Sequence, residues 1–205
     1  MNPLLHLPYK LVLASKSPRR SQLLREAGFD FEIRTLDTDE SYPAHLPVET
    51  VPEYLAVKKA EAMLPYIEGD ELLLTADTVV ILDGVIFGKP EDATEATEML
   101  RQMSGRSHQV ITGVCLMTTD SKTVISDESL VYFDELTAAE MAYYIAQYQP
   151  YDKAGSYGIQ EWIGHCKINR IDGSYANVMG LPVHRVYEAL RVWGACSNYF
   201  EQMSK

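Results

Sequence analysis

The residues best suited to chemistry begin near the N-terminus, in Leu13-Ala14-Ser15-Lys16-Ser17-Pro18-Arg19-Arg20. A helix starting here would present N–H groups without intrahelical partners at the positive end of its dipole, a natural anion site. Ser15 and Ser17 add hydroxyl donors, and Arg19 and Arg20 present planar forks that match phosphate oxygens. The plainer reading of the same residues is a capped surface helix with two solvated arginines, because Ser-Pro is a common helix start. A second group is Thr75-Ala76-Asp77-Thr78-Val79-Val80, followed by Gly88-Lys89-Pro90. A carboxylate among strand residues is costly to bury unless paired, so Asp77 points to a metal ligand or a general base. Lys89, between glycine and proline, is placed to aim a compact charge at a phosphate. The competing reading is a turn-forming aspartate and a solvated lysine.

Two further stretches have weaker signals. Asp37-Thr38-Asp39-Glu40 reads alone as a solvated loop. It gains chemical meaning if Asp77 and a triphosphate lie nearby, since Mg²⁺ takes a few carboxylates with phosphate oxygens and water. Lys58 and Lys59 are ordinary by themselves, although a lysine at that point of a helix can reach inward. In Asp152-Lys153-Ala154-Gly155-Ser156-Tyr157-Gly158-Ile159-Gln160, the glycines allow a backbone to approach a ligand closely. Gln160 offers an amide donor and acceptor side by side, suited to reading the edge of a base. The alternative there is the start of a helix with a packed tyrosine. Residues 171–175 and 177–182 complete a glycine-rich third of the chain. His108 and His165 lack metal-ligand spacing and read as structural. The sequence contains neither a Ser/His/Asp spacing nor a P-loop Gly-Lys-Ser/Thr.

The elements that must position these residues follow from pattern. Residues 10–14 form an apolar strand, 15–18 a turn, and then a helix carries Leu23, Leu24 and Ala27 on one face until Gly28 ends it. A second strand is expected over 29–34, then an acidic, proline-containing loop to residue 51. A helix over 52–66 would use Tyr54, Leu55, Ala62 and Leu64 as its apolar face. Strands over 71–76 and 78–82 are expected to break at Asp77, with Asp83-Gly84 as a hairpin turn. A helix over 91–103 follows, capped by Asp92 and closed by Ser104-Gly105. Residues 108–119 and 122–133 read as an antiparallel hairpin, 137–147 as a helix capped by Thr137, and 183–193 as a last helix. With no repeat and no linker, this order predicts an α/β fold, a mixed twisted sheet flanked by helices, in one domain over 1–205.

Composition limits the partners. The chain has 205 residues, 46% hydrophobic and 23% charged, which is the balance of a folded protein. A net charge of −11 works against a nucleic-acid partner, which normally demands a basic excess. No apolar run is long enough to cross a bilayer, and Met1 to Pro8 lacks the pattern of a signal peptide. Cys115, Cys166 and Cys196 are odd in number and widely spaced, which argues against a disulfide framework and against a zinc site. A cytoplasmic protein without nucleic-acid or membrane partners is expected.

Taken in order, these motifs resemble the Maf family of nucleoside triphosphate pyrophosphatases. The motifs are Ala-Ser-x-Ser-Pro-Arg-Arg, Asp-Thr-Asp-Glu, Ala-Asp-Thr-Val-Val, Gly-Lys-Pro, Ser-Gly-Arg-Ser-His-Gln-Val-Ile-Thr-Gly-Val, Lys-Ala-Gly-Ser-Tyr-Gly-Ile-Gln and Gly-Ser-Tyr-x-Asn-Val-x-Gly-Leu-Pro. The resemblance implies a fold similar to inosine triphosphate pyrophosphatases, two lobes around a cleft, and cleavage of the α–β phosphoanhydride to a monophosphate and pyrophosphate. It implies that Asp77 is the general base, and that Ser15, Arg20, Lys59 and Lys89 handle phosphate. Glu40 with Asp77 would hold a divalent cation, Mg²⁺ or Mn²⁺. Arg19, Thr78 and Gln160 match positions that mark the subfamily selective for dTTP and UTP, possession of Arg19 setting it apart from the 7-methyl-GTP group. A homodimer is implied as well. One departure from the pattern is that Glu161-Trp162 follows Gln160 in place of the glycine often found there, which bears on the base pocket. The family also has an association with cell division, so a nucleotide-binding regulator with little hydrolysis is the alternative.

Overall fold

A computed structural model describes residues 7–203, with side chains described through Gly194. The expected absence of a signal segment therefore falls mostly, and the Cys196 side chain wholly, outside the described residues. The chain begins with strand β1 (Lys10–Leu13), helix α1 (Pro18–Glu26), strand β2 (Glu32–Ile33) and helix α2 (Val51–Met63). Strands β3 (Glu71–Leu82) and β4 (Val85–Phe87) lead to helix α3 (Ala93–Met103), then to the long pair β5 (Ser107–Met117) and β6 (Lys122–Phe133). Helices α4 (Ala138–Tyr148) and α5 (Trp162–Cys166), strand β7 (Ile168–Asp172), and helices α6 (Tyr175–Val178) and α7 (Val183–Met203) complete it.

The sheet runs β2-β1-β3-β5-β6-β7, with β4 added on β3. β1 is parallel to β2 and β3, and the remaining pairs are antiparallel, so the sheet is mixed as expected. Period-two alternation divides β3 and β5 between two cores. Leu72, Leu74, Ala76, Val80, Val110 and Val114 join the large core with α1, α3, α4 and α7. Leu73, Val79, Ile81, Ile111 and Cys115 face the other way and meet the buried residues of α2.

Several expectations are corrected. β3 runs unbroken through Asp77, because Asp77 keeps its ladder partner Gly113 on β5. A side chain that leaves the sheet plane need not break the ladder. The break lies on the other edge of β3, between its pairing with β1, which ends at Leu74, and its pairing with β4, which begins at Val80. β2 is only two residues long and exposed, since Phe29 and Phe31 pack at the end of α1 and not in a strand. In α2 the buried face is Val51, Pro52, Leu55, Ala56, Ala60 and Met63, whereas Tyr54 is exposed and Ala62 and Leu64 are half-buried. Ser17 occupies the cap position of α1 without a side-chain cap bond. Strands β4 and β7 and helices α5 and α6 were not evident, being three to five residues each.

The last helix starts at Val183 as expected but runs to Met203, past the expected end at residue 193. The other long elements agree to within a few residues. Asp92 caps α3 by accepting from Thr94 and Glu95, and Thr137 with Glu140 forms a capping box on α4. Asp83 and Gly84 both have positive φ, 52° and 75°, the twist a two-residue hairpin turn requires. Among the described residues, no helix is long and apolar enough to cross a membrane.

Candidate active site

The site originates in a gap along one edge of β3. Its first half pairs with β1 up to Leu13↔Leu74, and its last residues pair with β4 from Val80↔Phe87. Between them, residues 75–79 have no strand on that edge, and a cleft of about 780 Å³ opens there. The chain leaving β1 turns into α1 at the same place, so Ser15 to Arg20 line one wall. Arg20 substitutes for the missing strand. Its Nη1 donates to Ala76 O at 2.8 Å, its Nη2 to Thr78 Oγ1 at 3.0 Å and its Nε to Gly180 O at 2.7 Å. Burial draws this guanidinium below its ordinary pKa, against the pull of Asp77. Pro18 at the first helical position has no N–H, and no acidic residue occupies the first turn of α1, which leaves the positive end of the helix unopposed there.

Adjacent residues of β3 serve opposite faces. Asp77 projects toward α2, where Lys59 Nζ donates to its Oδ1 at 2.5 Å and to Glu40 Oε1 at 2.8 Å. The approach of α2 depends on Gly113, the ladder partner of Asp77. A Cβ at that position would lie 2.4 Å from the backbone of Pro52 and Glu53. Lys89 Nζ lies 3.7 Å from Glu40 Oε2 and is over half exposed. Burial opposes the charged form of Glu40, but Lys59 and then Lys89 outweigh it and hold the carboxyl below its usual pKa. Lys16 pairs with Asp37, and Lys58 donates to Asp39 at 2.8 Å, so the acidic loop is fastened to lysines along its length.

Thr78 projects to the other face. Its hydroxyl meets Thr112 Oγ1 at 2.9 Å, and Thr112 donates to Asn177 O at 3.0 Å. Gly180, with φ of 110°, brings its backbone against Thr78 and Arg20. On the facing wall, Arg19 Nη1 donates to Asp152 Oδ2 at 3.1 Å. Gln160 also lines the cleft, and its buried Oε1 has no hydrogen-bond partner among the described residues. A buried acceptor without a donor is costly by about 1–3 kcal/mol.

All nine residues singled out from the sequence line this one cleft: Ser15, Arg19, Arg20, Glu40, Lys59, Asp77, Thr78, Lys89 and Gln160. Arg20 and Thr78 are largely engaged with protein partners, which the sequence did not indicate. The acceptors for Arg20 are mainly backbone carbonyls, and these leave no trace in residue identity. Lys153 and Asp152 were not singled out, although Lys153 is 8% exposed and its Nζ lies 2.7 Å from Asp152 Oδ1. A lysine inside a glycine-rich segment was the available signal. His108 is structural, as expected: its Nε2 meets Tyr157 Oη at 2.8 Å. His165 is exposed at the end of α5.

Glu40 and Asp77 converge on one cation, Lys59, so the pair has the donor chemistry for a hard divalent ion. Among the described residues, no group of three or more His, Cys, Asp or Glu side chains gathers to hold a metal. Any cation there would take its remaining ligands from phosphate and water.

A protein of Porphyromonas gingivalis named dTTP/UTP pyrophosphatase is 53% identical over 189 residues, covering 91% of this chain and 95% of its own. A Bacteroides thetaiotaomicron protein of the same name is 50% identical over 184 residues, 89% of this chain and 95% of its own. Among solved structures, the Ham1 protein of Staphylococcus aureus matches with a TM-score of 0.46 and 12% identity, covering 60% of this chain and 71% of that one. The sequence profile described as Maf-like protein matches residues 10–193, and the chain belongs to the Maf family.

Proposed function

We propose that the cleft hydrolyses dTTP and UTP to the nucleoside monophosphate and pyrophosphate. The observation that carries this reading is the nearly buried Asp77 carboxylate at the open edge of β3, bridged by Lys59 to Glu40. Around it the cleft is lined by Arg19, Arg20, Lys16 and Lys89. A triphosphate entering the cleft competes with carboxylates for these cations. Lys59 and Lys89 then offset phosphate charge that would repel a nucleophile, and the Ser15 to Arg20 turn holds the chain of phosphates in place. Lys59 occupies Oδ1 of Asp77, which leaves Oδ2 to orient a water and take its proton. Attack at the α-phosphorus breaks the α–β anhydride, and pyrophosphate departs. Glu40 and Asp77 would hold Mg²⁺ or Mn²⁺, whose contribution when bound is to neutralise phosphate oxygens.

Base choice is assigned to the side-chain amide of Gln160, which lines the cleft and carries a donor and an acceptor side by side. Uracil and thymine offer N3–H beside a C4 carbonyl, whereas cytosine reverses both groups, so one amide orientation cannot serve both. The names of the relatives in Porphyromonas and Bacteroides agree with this choice. Residues 1–205 are read as one functional domain. The test is pyrophosphate release from dTTP, UTP, CTP and 7-methyl-GTP with Mg²⁺ or Mn²⁺. dTTP and UTP should lead, and equal rates on all four would remove the assignment of Gln160.

A further inference from the structure

Glu161 follows Gln160 directly in the chain, and the structure gives it a set of contacts that the reaction does not use. Gly158 to Glu161 form a tight turn closed by Glu161 N–H donating to Gly158 O at 3.0 Å, with Gln160 inside it. The phenol of Tyr144, a fully buried side chain of α4, joins both ends of that turn. Its oxygen accepts from Gly158 N–H at 2.9 Å, and its hydrogen is donated to Glu161 Oε2. The carboxylate lies directly over Gly158, where a Cβ would come within 2.7 Å of Glu161 Cδ. Glu161 Oε1 is 3.2 Å from Lys153 Nζ, which also bonds Asp152, and Asp152 holds Arg19. Burial, and then the Glu161 carboxylate, raises the pKa of Tyr144, so the phenol keeps the proton it donates.

We propose that Glu161 is a positioning residue for base selection: with Tyr144 it clamps the turn that presents Gln160, and through Lys153 and Asp152 it ties that turn to Arg19. This rests on the reading of the cleft as a pyrimidine triphosphate site. The clamp fixes the position and orientation of the Gln160 side-chain amide, whose donor and acceptor must both be placed to read a base edge. Without it the amide can turn over, and the order of donor and acceptor that separates uracil from cytosine is lost.

The experiment compares wild type with Glu161→Ala, Glu161→Gln and Tyr144→Phe. It measures pyrophosphate release from UTP and CTP, and amide exchange of peptides covering 157–165 in the ligand-free protein. Glu161→Ala and Tyr144→Phe should lower the UTP/CTP ratio of kcat/KM by about tenfold, the effect of one misplaced hydrogen bond. The loss should fall mainly on KM for UTP, with kcat within about threefold of wild type. Both variants should also exchange faster at 158–161. Glu161→Gln retains an acceptor for Tyr144 and should preserve most of the protection. An unchanged ratio in both Glu161→Ala and Tyr144→Phe overturns the proposal, as does a fall in kcat with the ratio intact. A wild-type protein inactive on every triphosphate refutes the pyrophosphatase reading and base selection with it. In that case the exchange data still decide the clamp, since unaltered exchange at 158–161 refutes it.

Discussion

Asp77 and Thr78 are neighbours in the chain, yet they work on opposite faces of β3, one toward Lys59 and the other toward Arg20. Substituting them should therefore have separable effects. Asp77→Asn keeps the shape and removes the basic oxygen. It should lower turnover about 100-fold or more while nucleotide binding, followed by calorimetry, stays largely intact. Unchanged turnover would take Asp77 out of the reaction. Arg20→Lys should behave differently, because a point charge cannot bond Ala76 O, Thr78 Oγ1 and Gly180 O together. It should cost about 2–4 kcal/mol by leaving buried acceptors unpaired, visible as a drop in Tm of several degrees. An unaltered Tm would show that the guanidinium does not hold the edge of β3. The identity of these residues was legible in the sequence, because phosphate chemistry draws on few side-chain types. The division between Arg19 and Arg20 was legible only in part: Arg19 does reach the opposite wall, but the use of Arg20 on carbonyls depends on a missing strand that no local pattern announces.

At the scale of elements, the geometry of the cleft depends on how closely α2 lies on the sheet. Gly113 sets that distance. Gly113→Ala should force α2 outward, destabilise the fold by about 1–3 kcal/mol and draw Lys59 away from Asp77. Thermal unfolding together with turnover checks this, and a variant with wild-type Tm and rate would contradict it. The long elements α3, α4, β5 and β6 were readable because each carries both a clear period and a cap or turn signal. The buried face of α2 was misread because helix periodicity there is blurred, with Tyr54 exposed and small Ala56 and Ala60 buried. β3 was read as broken because a charged residue in a strand suggests an interruption. In fact the ladder to β5 satisfies the backbone, and only the side chain of Asp77 needs compensation, which Lys59 supplies. The short elements β4, β7, α5 and α6 depend on tertiary pairing and carry too few residues to show a period.

The whole molecule joins a sheet, a glycine-rich wall and an acidic loop around one cationic cleft, in a chain of net charge −11. Such a balance confines positive potential to the site and suits a small polyanion better than a nucleic-acid backbone. The glycine-rich wall is fixed to the sheet by His108, whose ring contacts Tyr157 and Phe133 as well as bonding the phenol. Burial pushes the pKa of His108 down to about 4 from 6.5. The unfolded chain therefore takes up this proton first as pH falls. The contribution to stability is complete above about pH 6.5 and is lost progressively toward pH 4, about 3 kcal/mol in all. Chemical denaturation of wild type and His108→Phe across that window should show a shallower pH slope in the variant, and equal slopes would refute the buried neutral ring. The central claim, cleavage of the α–β anhydride of a pyrimidine triphosphate with Asp77 as base, is tested most directly by product analysis of dTTP turnover. Wild type should release dTMP and pyrophosphate in equal amounts, with both falling together about 100-fold or more in Asp77→Asn. Formation of dTDP and orthophosphate, or full turnover in Asp77→Asn, would contradict it.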